Sequence, residues 1–187
     1  MREKGRLIVI SAPSGCGKST VVRRLMEKRD NLRFSVSATT RLPREGEVDG
    51  VDYFFVDRAE FDRMVRDGEF LEHAVYVGNG YGTPRKAVDR LLDAGYDVLL
   101  DIDVQGAMQI REKRPDALLV FLLPPSFEEL EKRLVLRGKD SREVIDRRLE
   151  TARAECGYAE KFDRVIVNDE LERAVDEFAA AIDESKN

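Results

Sequence analysis

The sequence predicts an α/β protein built on a parallel sheet flanked by helices. Three observations carry that expectation. Short apolar runs recur at "GRLIVIS" (5–11), "DVLLDI" (97–102), "ALLVFLL" (117–123) and "RVIVN" (164–168), as expected of strands buried on both faces. Stretches with apolar residues at helical spacing fall between or after them. The first strand leads through "SAPSGCGKST" (11–20) into a helix, the setting of a loop that cradles phosphate.

The elements follow in order. After the loop, Val21, Val22, Leu25 and Met26 recur at helical spacing and predict a helix over Lys18 to Lys28. The loop itself runs Ala12, Pro13, Ser14, Gly15, Cys16, Gly17, Lys18, Ser19, Thr20. Against the pattern G-x-x-x-x-G-K-[ST], alanine stands at the first glycine. One added methyl is harmless at negative φ and damaging only where φ must be positive. Gly15 and Gly17 let the backbone curl around phosphates, Lys18 suits the β- and γ-phosphates, and Ser19 suits Mg²⁺. Cys16 reads as a small-residue position with no chemistry of its own.

Residues 35–84 break the rhythm. "RFSVSATTR" (33–41), "GVDYFFV" (50–56) and "HAVYVGNGYG" (73–82) read as shorter strands, and Arg58 to Arg66 as a helix that Asp57 and Glu60 cap. This segment is expected to be a mixed α+β lobe inserted into the core. Further helices are expected near 104–113, 126–136, 141–158 and 170–184. Ser126 with Glu129 and Asp140 with Glu143 serve as caps, and "RGKDS" (137–141) joins the middle pair. The expected organisation is a core of 1–34, 85–125 and 156–187, a lobe at 35–84, and a helical insertion at 126–155.

Composition narrows the function classes. The chain has 187 residues, 42% hydrophobic and 7% aromatic, which suits one folded domain with inserted lobes. A net charge of −5 offers no basic field for a nucleic acid polymer. The longest apolar run, Ala117 to Leu123, is too short to span a bilayer. "MREKGRLIVIS" lacks the apolar stretch and cleavage site of a signal peptide. Cys16 and Cys156 form no metal spacing or disulfide framework. A cytoplasmic protein without membrane or nucleic acid partners is expected.

A second anion site is suggested by "SATTRLPREGEVDGVDY" (37–53), which holds Ser37, Arg41, Arg44 and Tyr53. Two arginines stiffened by Pro43 can fork onto one phosphate, although spacing alone equally suits a solvated loop. Glu72 is a carboxylate in an apolar stretch. Tyr81, Gly82 and Thr83 read as a polar turn, with Thr83 as N-cap and Pro84 as first residue of a helix. His73, the single histidine, has no triad or metal spacing around it and reads as structural.

Taken in order, "SAPSGCGKST", "FSVSATTRLPREGEVDGVDY", "EFLEH", "GNGYGT", "LDIDVQG", "LLPPSFEELEKRL", "RGKDS" and "VIVND" resemble the segments of the guanylate kinase family almost from end to end. The resemblance implies a P-loop nucleoside monophosphate kinase-like fold, with a GMP-binding lobe at 35–84 and a lid at 126–155. It implies Mg²⁺-dependent transfer of the ATP γ-phosphoryl group to GMP, and to dGMP. Residues Ala12 to Thr20 would bind ATP, with Arg133 from the lid and with Asn168 and Asp169 near the adenine. A strand-to-helix cap explains Asn168 and Asp169 equally well. Arg41, Arg44, Tyr53 and Tyr81 would hold the GMP phosphate, while Ser37, Glu72, Thr83 and Asp103 read the guanine. Lys18, Arg41, Arg44, Arg137 and Arg148 would be catalytic, and Ser19 and Asp101 would serve the metal. Helical periodicity does not choose between Arg147 and Arg148.

The family tolerates alanine at the first loop position, and Pro84 departs from it where serine is frequent. Two other readings compete: a kinase for a different small molecule, and a guanylate-kinase-like domain that binds peptides without catalysis. Lys18, Ser19 and the arginines are all present, which favours the enzyme. The sequence leaves a homo-oligomer open.

Overall fold

A computed structural model of the chain describes residues 4–136, 138 and 141–185. The elements run β1 (Leu7–Ser11), α1 (Lys18–Lys28), β2 (Leu32–Phe34), β3 (Ala38–Thr39), β4 (Phe54–Phe55), α2 (Arg58–Arg66), β5 (Phe70–Tyr76) and β6 (Asn79–Pro84). They continue with α3 (Arg85–Asp93), β7 (Asp97–Asp101), α4 (Val104–Lys113), β8 (Leu118–Leu123), α5 (Phe127–Leu136), α6 (Arg142–Cys156), β9 (Arg164–Val167) and α7 (Leu171–Glu184). The described residues form two compact units. One contains 4–7, 31–101 and 105–117, and the other 8–30, 102–104 and the described residues from 118 to 185.

In the first unit β2 pairs in parallel with β7, Leu32 opposite Asp97 and Phe34 opposite Leu99. The β7 edge also meets the chain entering β1, with the Val98 N–H donating to the Arg6 carbonyl at 2.8 Å. A second sheet has the order β4-β3-β6-β5. Phe61 of α2 packs with Ala38 and Phe70 on it, joined by Phe54, Val56, Met64 and Val65. In the second unit β1, β8 and β9 pair in parallel, Ile8 opposite Leu118 and Val120 opposite Arg164. All five residues of β1 are buried, as a strand covered on both faces must be. Helices α5 and α6 share a small core of Leu130, Leu134, Ile145, Leu149 and Ala152. The α/β class and the parallel strands are as the sequence predicts.

Several local expectations change. The run 73–82 is not one strand but part of a hairpin, because β5 and β6 reverse at Val77 and Gly78, where φ is 48° and 78°. Tyr76 pairs with Asn79 across that two-residue loop, and positive φ at both central positions is the twist such a turn requires. The run 33–41 divides, Leu32–Phe34 joining β7 and Ala38–Thr39 joining β6. Thr83 caps nothing: β6 extends through Pro84, α3 begins at Arg85, and the Arg85 N–H donates to the Glu69 carbonyl at 2.8 Å. Ser141 is the N-cap of α6, and Asp140 lies outside the described residues. Two predicted caps form, with Glu60 N–H donating to Asp57 at 2.8 Å and Glu129 N–H to Ser126 at 3.1 Å.

Among the described residues Val77 alone is a non-glycine at positive φ, and a β-branched side chain is poorly suited to that region. Val77 is also 80% exposed, so it has little packing to lose. Val77→Asn is therefore expected to stabilise the protein by about 1 kcal/mol, read as a higher midpoint in urea denaturation.

Candidate functional site

The loop after β1 is held from beneath. Ser11 is fully buried and its hydroxyl donates to the Ile102 carbonyl at 2.7 Å. Gly15 and Gly17 both adopt φ 92°, and Gly17 is the N-cap of α1. A Cβ on Gly17 would stand 2.7 Å from the Asn168 amide nitrogen, and one on Gly15 would stand 2.8 Å from a Leu134 methyl. Both glycines are thus required by conformation and by space. Ala12 is not among the positive-φ residues, so the missing glycine leaves the backbone unstrained there.

Cys16 points inward and is fully buried, its thiol 3.5 Å from the Leu122 carbonyl. Burial pushes that thiol up to about 12, with the Arg133 and Lys18 charges opposing the shift. The Cys16 carbonyl accepts the Asn168 side-chain amide at 2.7 Å and the Arg133 guanidinium at 3.4 Å. Arg133 also reaches the Asn168 carbonyl at 3.3 Å and Glu129 at 3.2 Å. Lys18 is the first residue of α1 and half-buried, while Ser14, Ser19 and Thr20 are exposed. A loop of this shape at a helix N-terminus directs N–H groups and the positive end of the helix dipole at an anion.

Asn168 is nine-tenths buried and is not a helix cap, since the N-cap of α7 is Glu170. Asp169 accepts the Glu170 N–H at 2.6 Å and pairs with Arg173. The structure separates the two neighbouring arginines of α6: Arg147 is exposed and turned back to the Glu143 carbonyl at 3.4 Å, whereas Arg148 is half-buried. Arg137 lies outside the described residues.

The other unit gathers a second set. Arg41 meets Glu47 in a two-pronged pair at 2.8 and 3.0 Å. Its guanidinium stands 5.3 Å from the centre of the Tyr53 ring and 5.8 Å from that of Phe55. The Tyr53 and Tyr81 rings meet edge-on at 6.1 Å. Glu47 also accepts the Arg44 N–H at 2.7 Å, while the Arg44 side chain is exposed. The Arg41 guanidinium first, and then the Arg44 amide, hold the Glu47 carboxyl below the ordinary carboxylate range. Sequence reasoning missed Glu47, which nothing in the local pattern separates from Glu45, Asp49 or Asp52.

Glu72 on β5 and Thr83 on β6 are both buried, and the Thr83 hydroxyl donates to Glu72 at 2.6 Å. Glu72 lies where the β5–β6 register shifts between Phe70 and His73. Gln109 of α4 clamps the backbone beside it, accepting from the His73 N–H at 3.1 Å and donating to its carbonyl at 2.9 Å. Thr39 and Thr40 both bond to the Gly80 backbone, so their hydroxyls hold β3 to β6. Ser37 precedes β3, with its carbonyl accepting the Phe54 N–H at 2.9 Å. Asp101 ends β7 half-buried, and Asp103 is exposed just before α4. No group of three or more His, Cys, Asp or Glu side chains is assembled for a metal among the described residues. No described helix is long and apolar enough to cross a membrane.

These features define an α/β protein with a glycine-bearing loop between a buried strand and a helix N-terminus. Comparison with known proteins narrows the class. The guanylate kinase family profile matches residues 4–185. A guanylate kinase of Thermus thermophilus is 56% identical over 179 residues, covering 96% of this chain and 81% of that protein. The guanylate kinase of Thermobifida fusca is 56% identical over 177 residues, covering 95% and 90%. The crystal structure of guanylate kinase from Anaplasma phagocytophilum superposes with a TM-score of 0.75 at 39% identity, over 98% of this chain and 87% of that one. The chain belongs to the guanylate kinase family.

The raised Cys16 thiol has a chemical consequence, because only the thiolate reacts with alkylating agents. In folded protein at about pH 8, iodoacetamide is expected to leave Cys16 unmodified, and urea is expected to expose it to full labelling. Peptide mass spectrometry distinguishes the two cysteines.

Proposed function

We propose that the protein is an ATP:GMP phosphotransferase that moves the γ-phosphoryl group of Mg-ATP to the α-phosphate of GMP, and of dGMP, giving ADP and GDP. The observation that carries this reading is the buried Glu72–Thr83 pair, in the same unit as the Arg41–Tyr53–Tyr81 cluster. Guanine offers two parallel donors, N1–H and the 2-amino group, to one carboxylate. Adenine has a lone pair at N1 and no 2-amino group, so it would leave Glu72 repelled and unpaired. A site built on buried hydrogen bonds rejects such an analogue by about 10⁴-fold. Ser37 and Asp103 complete the guanine reader in this proposal.

The acceptor phosphate is already an anion, so no strong base is needed and catalysis is alignment plus charge stabilisation. Arg41, Arg44, Tyr53 and Tyr81 hold the GMP phosphate, with Glu47 setting the Arg41 fork. Residues Ala12 to Thr20 hold the ATP phosphates, and Lys18 neutralises the β- and γ-oxygens. Residues 126–155 act as the lid, where Arg137 and Arg148 add positive charge at the transferring group. The Arg133 and Asn168 contacts to the Cys16 carbonyl support a bracing role beside any contact to ATP. Ser19 and Asp101 offer the hard oxygen donors that Mg²⁺ prefers. The metal would screen the β- and γ-phosphate charge. Unpaired thiols at Cys16 and Cys156 support a cytoplasmic setting.

ADP release in a coupled assay with Mg-ATP tests the reading, using GMP, dGMP, AMP, UMP and dTMP as acceptors. Turnover is expected on GMP and dGMP and to be lost in Lys18→Ala. A preference for AMP or a pyrimidine would overturn the role of Glu72, and absence of turnover in folded protein would overturn the kinase reading. Glu72→Gln is expected to lower kcat/KM for GMP by about 10²-fold or more, because the amide presents a donor to a donor. Glu47→Gln is expected to raise KM for GMP by about tenfold, with a smaller change in kcat, because it loosens the Arg41 fork.

A further inference from the structure

Glu72 stands at an irregularity of its strand. Phe70 pairs with Pro84 and His73 with Gly82, so Leu71 and Glu72 together face the single residue Thr83. Two residues opposite one make a β-bulge, which interrupts the ladder and re-aims the side chains within it. Strand β5 is also the last strand of its sheet. A slip of one residue in its register would carry Glu72 away from Thr83 and turn it to the other face.

Helix α4 holds that register from outside the sheet. The Gln109 side-chain amide accepts from the His73 N–H at 3.1 Å and donates to the His73 carbonyl at 2.9 Å. One primary amide thus takes both backbone groups of the residue next to Glu72. A helical turn further on, the Lys113 ammonium stands 3.5 Å from the Phe70 carbonyl, at the other end of the bulge. Two side chains of one helix therefore reach the two residues that bound the irregularity. The helix is a firm base for them, since Ala107 and Ile110 are fully buried.

We propose that Gln109 is a positioning residue for guanine specificity, which fixes the bulge so that the Glu72 carboxylate meets N1–H and the 2-amino group together. This inference rests on the reading that Glu72 receives guanine. A carboxylate accepts two parallel donors only at one placement, and a displacement of about 1 Å forfeits part of that recognition. The Thr83 hydroxyl holds Oε1, and the backbone at 72–73 sets where the side chain starts. Gln109 acts on that backbone and touches no substrate itself. Only an amide of this length both donates and accepts here. Methionine has the length without either bond, and asparagine stops one methylene short.

The test compares GMP with inosine monophosphate as acceptors, with Mg-ATP, in native protein, Gln109→Met and Gln109→Asn. Inosine monophosphate keeps N1–H and lacks the 2-amino group, so the ratio of the two kcat/KM values reports the second hydrogen bond. The amount of folded enzyme cancels in that ratio. A loss of stability alone therefore leaves it unmoved, and urea denaturation records stability separately. Native protein is expected to favour GMP by about 10²-fold. Both variants are expected to lose about tenfold of that preference, through a higher KM for GMP at an unchanged KM for ATP. Variants that keep the native ratio, however unstable, would overturn the proposal. So would a rise in KM for ATP as large as that for GMP. Glu72→Gln, assayed beside them, is expected to lower the same ratio. No turnover, a native ratio near one, or a Glu72→Gln variant with the native ratio would instead overturn the reading of Glu72, and this inference with it.

Discussion

The loop between β1 and α1 depends on what happens to a single carbonyl. A loop that turns its N–H groups toward an anion must turn some of its carbonyls inward, where an unpaired one costs about 1–3 kcal/mol. Here the Cys16 carbonyl is taken by the Asn168 amide at 2.7 Å, with the Arg133 guanidinium at 3.4 Å. The same contacts join three elements to the loop. Asn168 follows β9 and Arg133 belongs to α5, while the Cys16 thiol meets the Leu122 carbonyl of β8. The approach of Asn168 is open because Gly17 has no Cβ, which would stand 2.7 Å from the amide nitrogen. The glycine therefore does two things: it supplies the positive φ that starts α1, and it makes room for the brace that satisfies the residue before it.

The other unit solves a related problem for side chains. A buried carboxylate needs partners, and Glu72 has the Thr83 hydroxyl at 2.6 Å on the adjacent strand. That pairing exists because β5 and β6 form a hairpin, and the register shift between Phe70 and His73 falls at Glu72, with Gln109 bonded to the neighbouring His73 backbone. Arg41 is arranged in the same manner. Glu47 holds both arms of its guanidinium, and the Tyr53 ring lies against it with the Tyr81 ring edge-on to Tyr53. Each of these side chains is thus oriented by a neighbour, which would lower the ordering cost of binding a ligand. A chain of net charge −5 thus holds Arg41 as a locally oriented cation without a basic surface.

The fold class was legible because continuous apolar runs have few other uses. Ile8, Val9 and Ile10, and Leu119, Val120 and Phe121, can only be strands buried on both faces, and they are. Helix ends with a local cap, such as Asp57 and Ser126, were legible for the same reason, since cap and partner lie three residues apart. The loop was legible from Gly15, Gly17, Lys18 and Ser19, whose spacing is set by backbone geometry. Legibility ended where the deciding contact was distant in sequence. The turn at Val77 and Gly78, the strand fate of Thr83 and the division of 33–41 all follow from which strand each segment pairs with.

The sequence by itself determined the α/β class, the position of the glycine loop between β1 and α1 and the motifs that carry the family resemblance, because each depends on neighbours a few positions apart. Only the tertiary structure decided that Asn168 braces Cys16 across 152 positions, that Thr83 serves Glu72 instead of capping a helix, that Thr39 and Thr40 are structural, and that Glu47 orients Arg41. The reason is physical. A polar side chain of a given type can satisfy a backbone group, a second side chain or a ligand with equal chemistry, and only folding settles which partner comes within hydrogen-bonding distance.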